Sequence, residues 1–431
     1  MSMKKTYTMF CFLVALLSMT FPVSDAQGAG FGIFTQGASG LGQADAIIAH
    51  GDTPSAMFLN PALINQLPGT QLEAGTTLLM PSRKFTSSLT GNSFQAESEI
   101  FYPSTVFLTH RFSETVSAGI GIFSPFGLGT VWPDNGEGRY IATKSEMKTF
   151  NFNPVVSVKV TPDITFAVGA DYVVLDAKLE KKVNLSALGL PDASQRFRTR
   201  GTNDGWGYNL GALIDLGKGV SAGASYRSGI PVDISGTVHH DLPAQAPAQL
   251  MALFPEATGK TTIKLPQQFN AGIAYRGLAP LTIEAGMRWE GWHSFKELRI
   301  DLDQPVAGNT FTVSPRNWKD TYSFMVGGKY DLNPKVALLA GYLYSGNPVP
   351  DDTFEPAIPD ANVHLFCLGT DITYRNVKIS VAYGYQKYQT RRKNNTIDDN
   401  PFDGVDNAAA SAGGAYRSGI NILAISLTYA F

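Results

Sequence analysis

Charge is scarce in this sequence. Asp, Glu, Lys and Arg make up 16% of its 431 residues, well below the ~25% of an ordinary soluble domain. Acids and bases nearly balance, with a formal net charge of -2, so the chain offers no basic surface for nucleic acid. Cysteine is almost missing: there are 2, Cys11 and Cys367. Cys11 lies in a leader, and Cys367 alone closes no internal disulfide. Long apolar runs are also missing, apart from FCFLVALLSMTF at 10–21. That run is shorter than the ~20 residues a spanning helix needs. Lys4 and Lys5 precede it and small residues surround Ala26, which marks residues 1–26 as a secretory signal peptide, cut after Ala26 or Gly28. If the exported chain enters a membrane, it does so as strands.

Alternation is the dominant pattern. In FNFNPVVSVKV, Phe150, Phe152, Pro154, Val156, Val158 and Val160 share one side of an extended strand, opposite Asn151, Asn153, Ser157 and Lys159. ITFAVGADYVV (164–174) and VKISVAYGY (377–385) repeat the scheme. Each reads as a strand with one apolar face. The closing stretch NILAISLTYAF sets Leu423, Ile425, Leu427, Tyr429 and Phe431 on one side and small or polar residues on the other.

The connections alternate as well. Short turns fall at 113–115, 161–163, 217–219, 333–335 and 375–376, and long polar loops at 183–203, 239–260, 347–361 and 390–416. Short turns on one rim and long loops on the other describe an antiparallel outer-membrane barrel. The pattern predicts an all-β fold: a transmembrane barrel of about fourteen strands over residues 70–431. The strands begin near Gln71, Tyr102, Val116, Lys148, Ile164, Gly205, Val220, Thr262, Leu281, Asp320, Val336, His364, Val377 and Ser418. Hydrocarbon cannot hydrogen-bond a bare amide, so such a sheet closes on itself and turns its apolar face to lipid. A secreted soluble sandwich is the alternative. Residues 27–69 are rich in Gly and Ala with little alternation, and carry short helical pieces at best, near Gln43 to Ile48 and Ser55 to Leu63. A segment of this kind ahead of the first strand suits a plug inside a lumen that is otherwise a water-filled hole.

Several short motifs, in order along nearly the whole mature chain, resemble the FadL-type outer-membrane transporters of long-chain fatty acids and other hydrophobic compounds. They include Ala29-Gly30-Phe31, Ser39-Gly40-Leu41-Gly42, Asn60-Pro61-Ala62-Leu63, Gly127-Leu128-Gly129-Thr130, Ala177-Lys178-Leu179-Glu180, Ser225-Tyr226-Arg227-Ser228, Lys319-Asp320-Thr321-Tyr322, Ile358-Pro359-Asp360 and Tyr429-Ala430-Phe431. The resemblance implies a fourteen-stranded barrel with an N-terminal hatch. It also implies a route from an extracellular apolar groove, through an inner pocket, to a sideways exit in the wall. By the same resemblance, Phe431 serves the barrel-assembly machinery.

The residues that carry such a route can be named. Leu250, Met251, Leu253 and Phe254 are apolar in a loop that should face outside water, and Leu185, Leu188 and Leu190 lie in the other long loop. Exposed apolar patches mark binding surfaces, and the resemblance makes these two loops a groove; packing of the loops against each other is the plainer alternative. A carboxylate entering a low-dielectric lumen needs a cation. The resemblance points to Lys181 after the Ala-Lys-x-Glu stretch. It aligns Ser314, not a lysine, at a second basic position, with Arg316 two residues on. Arg227 is a third candidate, on the polar side of its strand. By the resemblance, Phe31 lies near the inner pocket; ordinary packing of the hatch is the alternative. Asn60, Pro61 and Ala62 form a turn, since Asn-Pro is a turn former. In the third strand, Pro125 donates no ladder hydrogen bond, and Gly127 and Gly129 weaken pairing; there the barrel wall is expected to open to lipid.

The six histidines stand beside no nucleophile motif, and neither HExxH nor GxSxG occurs. The expectation is no enzyme, no cofactor and no metal site. The acidic loop 398–407 lacks the alternating spacing of a calcium loop. Expected partners are a hydrophobic small molecule and outer-membrane lipid, with the chain a monomer. A general porin for small polar solutes is the rival function.

Overall fold

The computed structural model describes residues 30–397 and 412–431. The signal peptide and the acidic loop 398–407 lie outside the described residues. Fourteen antiparallel strands close into a ring. In chain order the wall strands are β1 (Thr70–Ser87), β2 (Ser104–Arg111), β3 (Val116–Phe123, resuming as Gly127–Val131), β4 (Lys144–Thr161), β5 (Ile164–Val183), β6 (Asp204–Gly217) and β7 (Val220–Arg227). They continue as β8 (Gln268–Leu278), β9 (Leu281–Glu290), β10 (Thr321–Asn333), β11 (Val336–Ser345), β12 (Val363–Tyr374), β13 (Val377–Tyr388) and β14 (Gly414–Ala430). Each pairs with its chain neighbour, and β14 closes on β1 in unbroken register from Gln71 opposite Ala430 to Ser87 opposite Gly414.

The alternation in the sequence is the alternation of the wall. Phe150, Phe152, Val156 and Val158 of β4 are exposed on the outside, while Asn151, Asn153 and Ser157 are buried toward the lumen. On β14, Leu423, Ile425, Leu427 and Tyr429 face out, and Ala424, Ser426 and Thr428 face in. A soluble barrel has the opposite polarity, so the outer band is built for hydrocarbon. Phe431 ends the closing strand; its amide donates to the Thr70 carbonyl at 2.9 Å.

One strand begins elsewhere than the sequence pattern suggested. The eighth wall strand starts at Gln268, not near Thr262. Residues Ala257–Leu265 instead belong to an extension of the same sheet, here called the upper sheet, that rises above the wall on the long-loop rim. Pro266 separates the two strands. In this upper sheet the far half of β5 pairs with Ala193–Thr199, which pairs with Ile230–Asp241, then Ala257–Leu265, Glu297–Val306 and Asn309–Pro315.

Residues 30–67 are almost wholly buried and lie against inward side chains of the wall. Their helical pieces are Ala38–Gly42, Pro54–Phe58 and Pro61–Gln66. The expected helix over 43–48 is absent, because Ala44 and Asp45 take left-handed backbone angles (φ 51° and 61°) that turn the chain there. Wall carboxylates hold the segment. Glu284 accepts the amides of Ile48, Ala49 (2.8 Å) and His50 (3.0 Å), and Glu73 accepts that of Ser55 at 2.8 Å. Wall glycines leave the room it needs: a Cβ on Gly327 would sit 2.3 Å from the Gln43 carbonyl oxygen.

Candidate functional site

The third strand is broken where the sequence placed Pro125. Main-chain pairing of β2 with β3 ends at Val106 opposite Ile122. On its other side β3 pairs with β4 before and after the break, with the register slipped by one residue, from Phe123 opposite Asn151 to Gly127 opposite Lys148. A proline has no amide to give the ladder, and the bulge absorbs its ring. The edge that β2 leaves bare is taken by the leading segment. The Ile33 amide donates to the Pro125 carbonyl, and the Gly127 amide donates to the Phe31 carbonyl, both at 2.9 Å. Further along, Phe101 packs on Gly129, where a Cβ would come within 2.0 Å of its ring, and the Arg83 guanidinium donates to the Gly129 carbonyl at 2.7 Å.

Two cavities meet at Phe31. The lower, of about 810 Å³, lies behind the break. It is lined by Ile33, Phe126, Leu128, Leu79 and Ile422, and also by Ile100, Tyr102 and Phe150, which are exposed on the lipid side. The upper, of about 510 Å³, lies within the upper sheet, among Leu179, Phe197, Val238, Ile263, Leu298 and Phe254. Phe31 lines both. Its ring is buried edge-on against Trp292 (centroids 4.6 Å apart) and close to Trp318 (5.5 Å), Phe295 (5.9 Å) and Phe126 (6.0 Å). Trp292, Phe295 and Trp318 were not singled out from the sequence. Single aromatics in irregular segments carry no periodic signal, and only their crowding within 292–318 hints at a cluster.

Gly30 sets Phe31 in place. Its φ of +64° and the approach of Trp318 and Trp292 to where a Cβ would stand, 2.8 and 2.9 Å away, admit only glycine without strain. Its amide donates to Asp360 Oδ2 at 2.8 Å. Asp360 belongs to the loop between β11 and β12. Burial pushes its carboxyl up to about 7, against the pull of the Gly30 and Ala361 amides and of the Arg391 and Arg83 charges.

The candidate basic residues separate. Lys181 and Arg316 both line the upper cavity, as does Ser314. Arg316 is buried in an ion pair with Glu355, so its charge is already balanced. His240 lines the same cavity beside Phe254; burial, then the charges of His239 and Lys181, push its imidazole down to about 4. Arg227 does not join them. Its guanidinium is committed to Asp171 inside the lumen and stands over the rings of Phe123 and Phe58 at 5.5 and 5.6 Å.

The loop leucines divide between packing and exposure. Leu185 is buried with Val183 and Ala193, and Leu190 and Leu250 pack onto that cluster. Phe254 is buried with Ala257 and Val306 and faces the upper cavity. Leu188, Met251 and Leu253 remain exposed near the mouth. Asn60 is fully buried: its side chain accepts the Ala62 amide and donates to the carbonyls of Ile48 and Ala212. Asn60, Pro61 and Ala62 thus form a turn docked on β6, away from both cavities.

Comparison with known proteins agrees with this architecture. The family described as outer membrane protein transport protein (OMPP1/FadL/TodX) matches residues 19–431. The chain is 26% identical over 426 residues to the long-chain fatty acid transport protein of Escherichia coli O6:H1, spanning 90% of this chain and 93% of that one. It is 24% identical over 418 residues to the 47 kDa outer membrane protein of Pasteurella multocida, spanning 92% and 94%. Among solved structures, a Pseudomonas aeruginosa FadL homologue shares the fold with a TM-score of 0.81 at 20% identity, over 94% of this chain and 100% of that one. The Pseudomonas putida toluene transporter TodX does so with a TM-score of 0.72 at 16% identity, over 94% and 99%. The chain belongs to the OMPP1/FadL/TodX family of outer membrane transport proteins.

Proposed function

We propose that this protein is a diffusive channel that takes hydrophobic compounds, long-chain fatty acids or aromatic hydrocarbons, across the outer membrane. They land on the exposed leucines and methionine of the long loops, enter the upper cavity, pass Phe31 into the lower one and leave between β2 and β3. The observation that carries this reading is the pair of cavities that share Phe31 in their lining, the second of them bordered by lipid-facing residues beside a broken strand. Both volumes fall within the ~300–1,000 Å³ of small-molecule sites. Residues 30–69 act as a hatch that denies the lumen to polar solutes.

A sideways exit fits the energetics. Each methylene moved from hydrocarbon to water costs about 0.8 kcal/mol, so a chain of about sixteen forfeits about 13 kcal/mol in the aqueous periplasm. A path that runs from groove to pocket to lipid avoids that step. Lys181 offers the cation for a carboxylate, and a neutral hydrocarbon has no need of it.

The test is uptake by proteoliposomes of labelled oleate and labelled toluene, with sugar-driven swelling measured in parallel. Saturable uptake of either compound without swelling supports the channel; swelling without it replaces the reading with a porin. Lys181→Ala should weaken oleate binding more than toluene binding. Equal loss for both ligands removes Lys181 from headgroup recognition.

A further inference from the structure

The upper sheet has two faces, and the route uses only one. Leu179, Phe197 and Val238 point into the upper cavity; the alternate residues of the same three strands point outward. Lys178 lies directly opposite Arg198, and Arg198 opposite Thr237. Arg196 and Arg200 stand two residues to either side of Arg198, on the same face. Lys178, Arg196, Arg198, Arg200, Thr237 and His239 border a shallow hollow of about 480 Å³ on this outer surface. Glu180 answers Lys178 at 2.8 Å, and Asp241 answers Arg196 at 2.6 Å. Arg198 and Arg200 are exposed, and no ion pair among the described residues engages either guanidinium. This cationic face contrasts with a chain whose net charge is -2.

Its height above the membrane narrows what it meets. Along β5 the outward residues run Tyr172, Val174, Asp176, Lys178. Tyr172 lies beside Trp206 of β6, the rings tilted by 40° with centroids 4.7 Å apart, and Trp206 and Tyr208 are exposed. Such exposed aromatics mark the hydrocarbon–headgroup boundary. Lys178 is six residues farther out, about 20 Å at ~3.4 Å per residue, hence about 15 Å of rise for a strand tilted ~45°. That is the zone of lipid phosphates and the first sugars.

We propose that Arg198 and Arg200, supported by Lys178 and Arg196, bind the phosphate groups of an outer-leaflet glycolipid. Guanidinium groups suit the task because their fork matches two phosphate oxygens at once. A bound lipid would brace, from outside, the strands whose inner face walls the upper cavity. This site is independent of the cargo route.

The full chain is placed in nanodiscs of zwitterionic phospholipid carrying either a bisphosphorylated lipid A or its dephosphorylated form, and lipid retention is counted by native mass spectrometry. The wild type should retain the phosphorylated lipid and shed the other. Arg198→Gln with Arg200→Gln should lower retention at least about tenfold, the size expected from losing even one of the two charge-assisted contacts. Arg200→Glu alone should lower it at least as far, whereas Lys218→Gln with Lys335→Gln on the opposite rim should leave it unchanged. Millimolar inorganic phosphate should not displace the lipid. Equal retention of both lipid forms, or retention unaffected by the arginine changes, overturns the proposal. Displacement by inorganic phosphate reduces the patch to a general anion site and overturns it as well. All these residues are exposed, and heat-modifiable gel mobility verifies that each variant folds.

Discussion

Glu284 should be the anchor whose loss frees the middle of the leading segment. This one carboxylate accepts three consecutive amides, those of Ile48, Ala49 and His50. It is buried in the wall of β9, where water cannot easily replace it. A hydrogen bond to a charged group is worth about 1.5–3 kcal/mol, and a buried donor left alone costs about 1–3 kcal/mol. Three donors sharing one acceptor do not add independently, so a conservative total for Glu284→Ala is about 3 kcal/mol. That corresponds to more than a hundredfold in a local opening equilibrium. Hydrogen exchange followed by mass spectrometry in detergent micelles reads it directly: peptides covering 44–53 should exchange more than a hundredfold faster. Peptides covering 62–67, held by the Ser157 hydroxyl on the Ala62 carbonyl (3.3 Å) and by the Asn65 side-chain amide on the Thr115 carbonyl (3.1 Å), should be unchanged. Glu284→Gln keeps an acceptor without its charge and should fall between. Unaltered protection at 48–50 in Glu284→Ala would refute the reasoning, and so would loosening spread evenly from 30 to 69.

Gly327→Leu should leave the barrel folded but unseat the segment, because its Cβ alone would collide with the Gln43 carbonyl at 2.3 Å; liposome swelling with small sugars should rise from the wild-type baseline. Arg316→Met strands the buried Glu355 carboxylate, at a cost of about 3–5 kcal/mol, and limited proteolysis of 346–362 should quicken; adding Glu355→Met should restore most of the protection. The Asp360 carboxyl is raised from the ordinary carboxylate value to about 7, so the folded state holds its proton longer than the unfolded one does. The stability it contributes is therefore complete below about pH 4 and declines as pH rises to about 7, then levels off. Fluorescence of Trp292 and Trp318, both beside Phe31, should follow that titration, and Asp360→Asn should abolish it.

The strand count was legible because lipid on one side and a filled lumen on the other impose a period of two that few other environments sustain. The edge at Thr262 was misplaced for the same reason. Ile263 and Leu265 alternate just as wall residues do, yet above the membrane the apolar side turns inward to the cavity, and a period alone cannot report that reversal. Pro125 was legible as a break because its missing amide is a property of the residue itself. Arg227 lies on the lumen side as its strand pattern implied, but its partner Asp171 comes from β5, two strands away, and meets it only in the folded sheet. The same holds for Arg316, whose neutralising Glu355 arrives from a loop 39 positions away, and for the aromatic chamber assembled around Phe31. What sequence conveys is local preference; charge pairing between segments apart in the chain depends on how the strands and loops assemble.

On the proposed route, the two hydrogen bonds between residues 31–33 and the bulge at Pro125 and Gly127 would make passage self-limiting. Withdrawing Phe31 to let a molecule by also strips one carbonyl and one amide of their partners at the edge of an oil-like medium, where an unmet peptide group is penalised by several kcal/mol. Only a guest with enough apolar surface to offset that penalty keeps the way clear, and once it has gone the vacated edge draws the stretch back. On the proposed route, leak resistance and preference for apolar cargo would thus both rest on the same four backbone atoms.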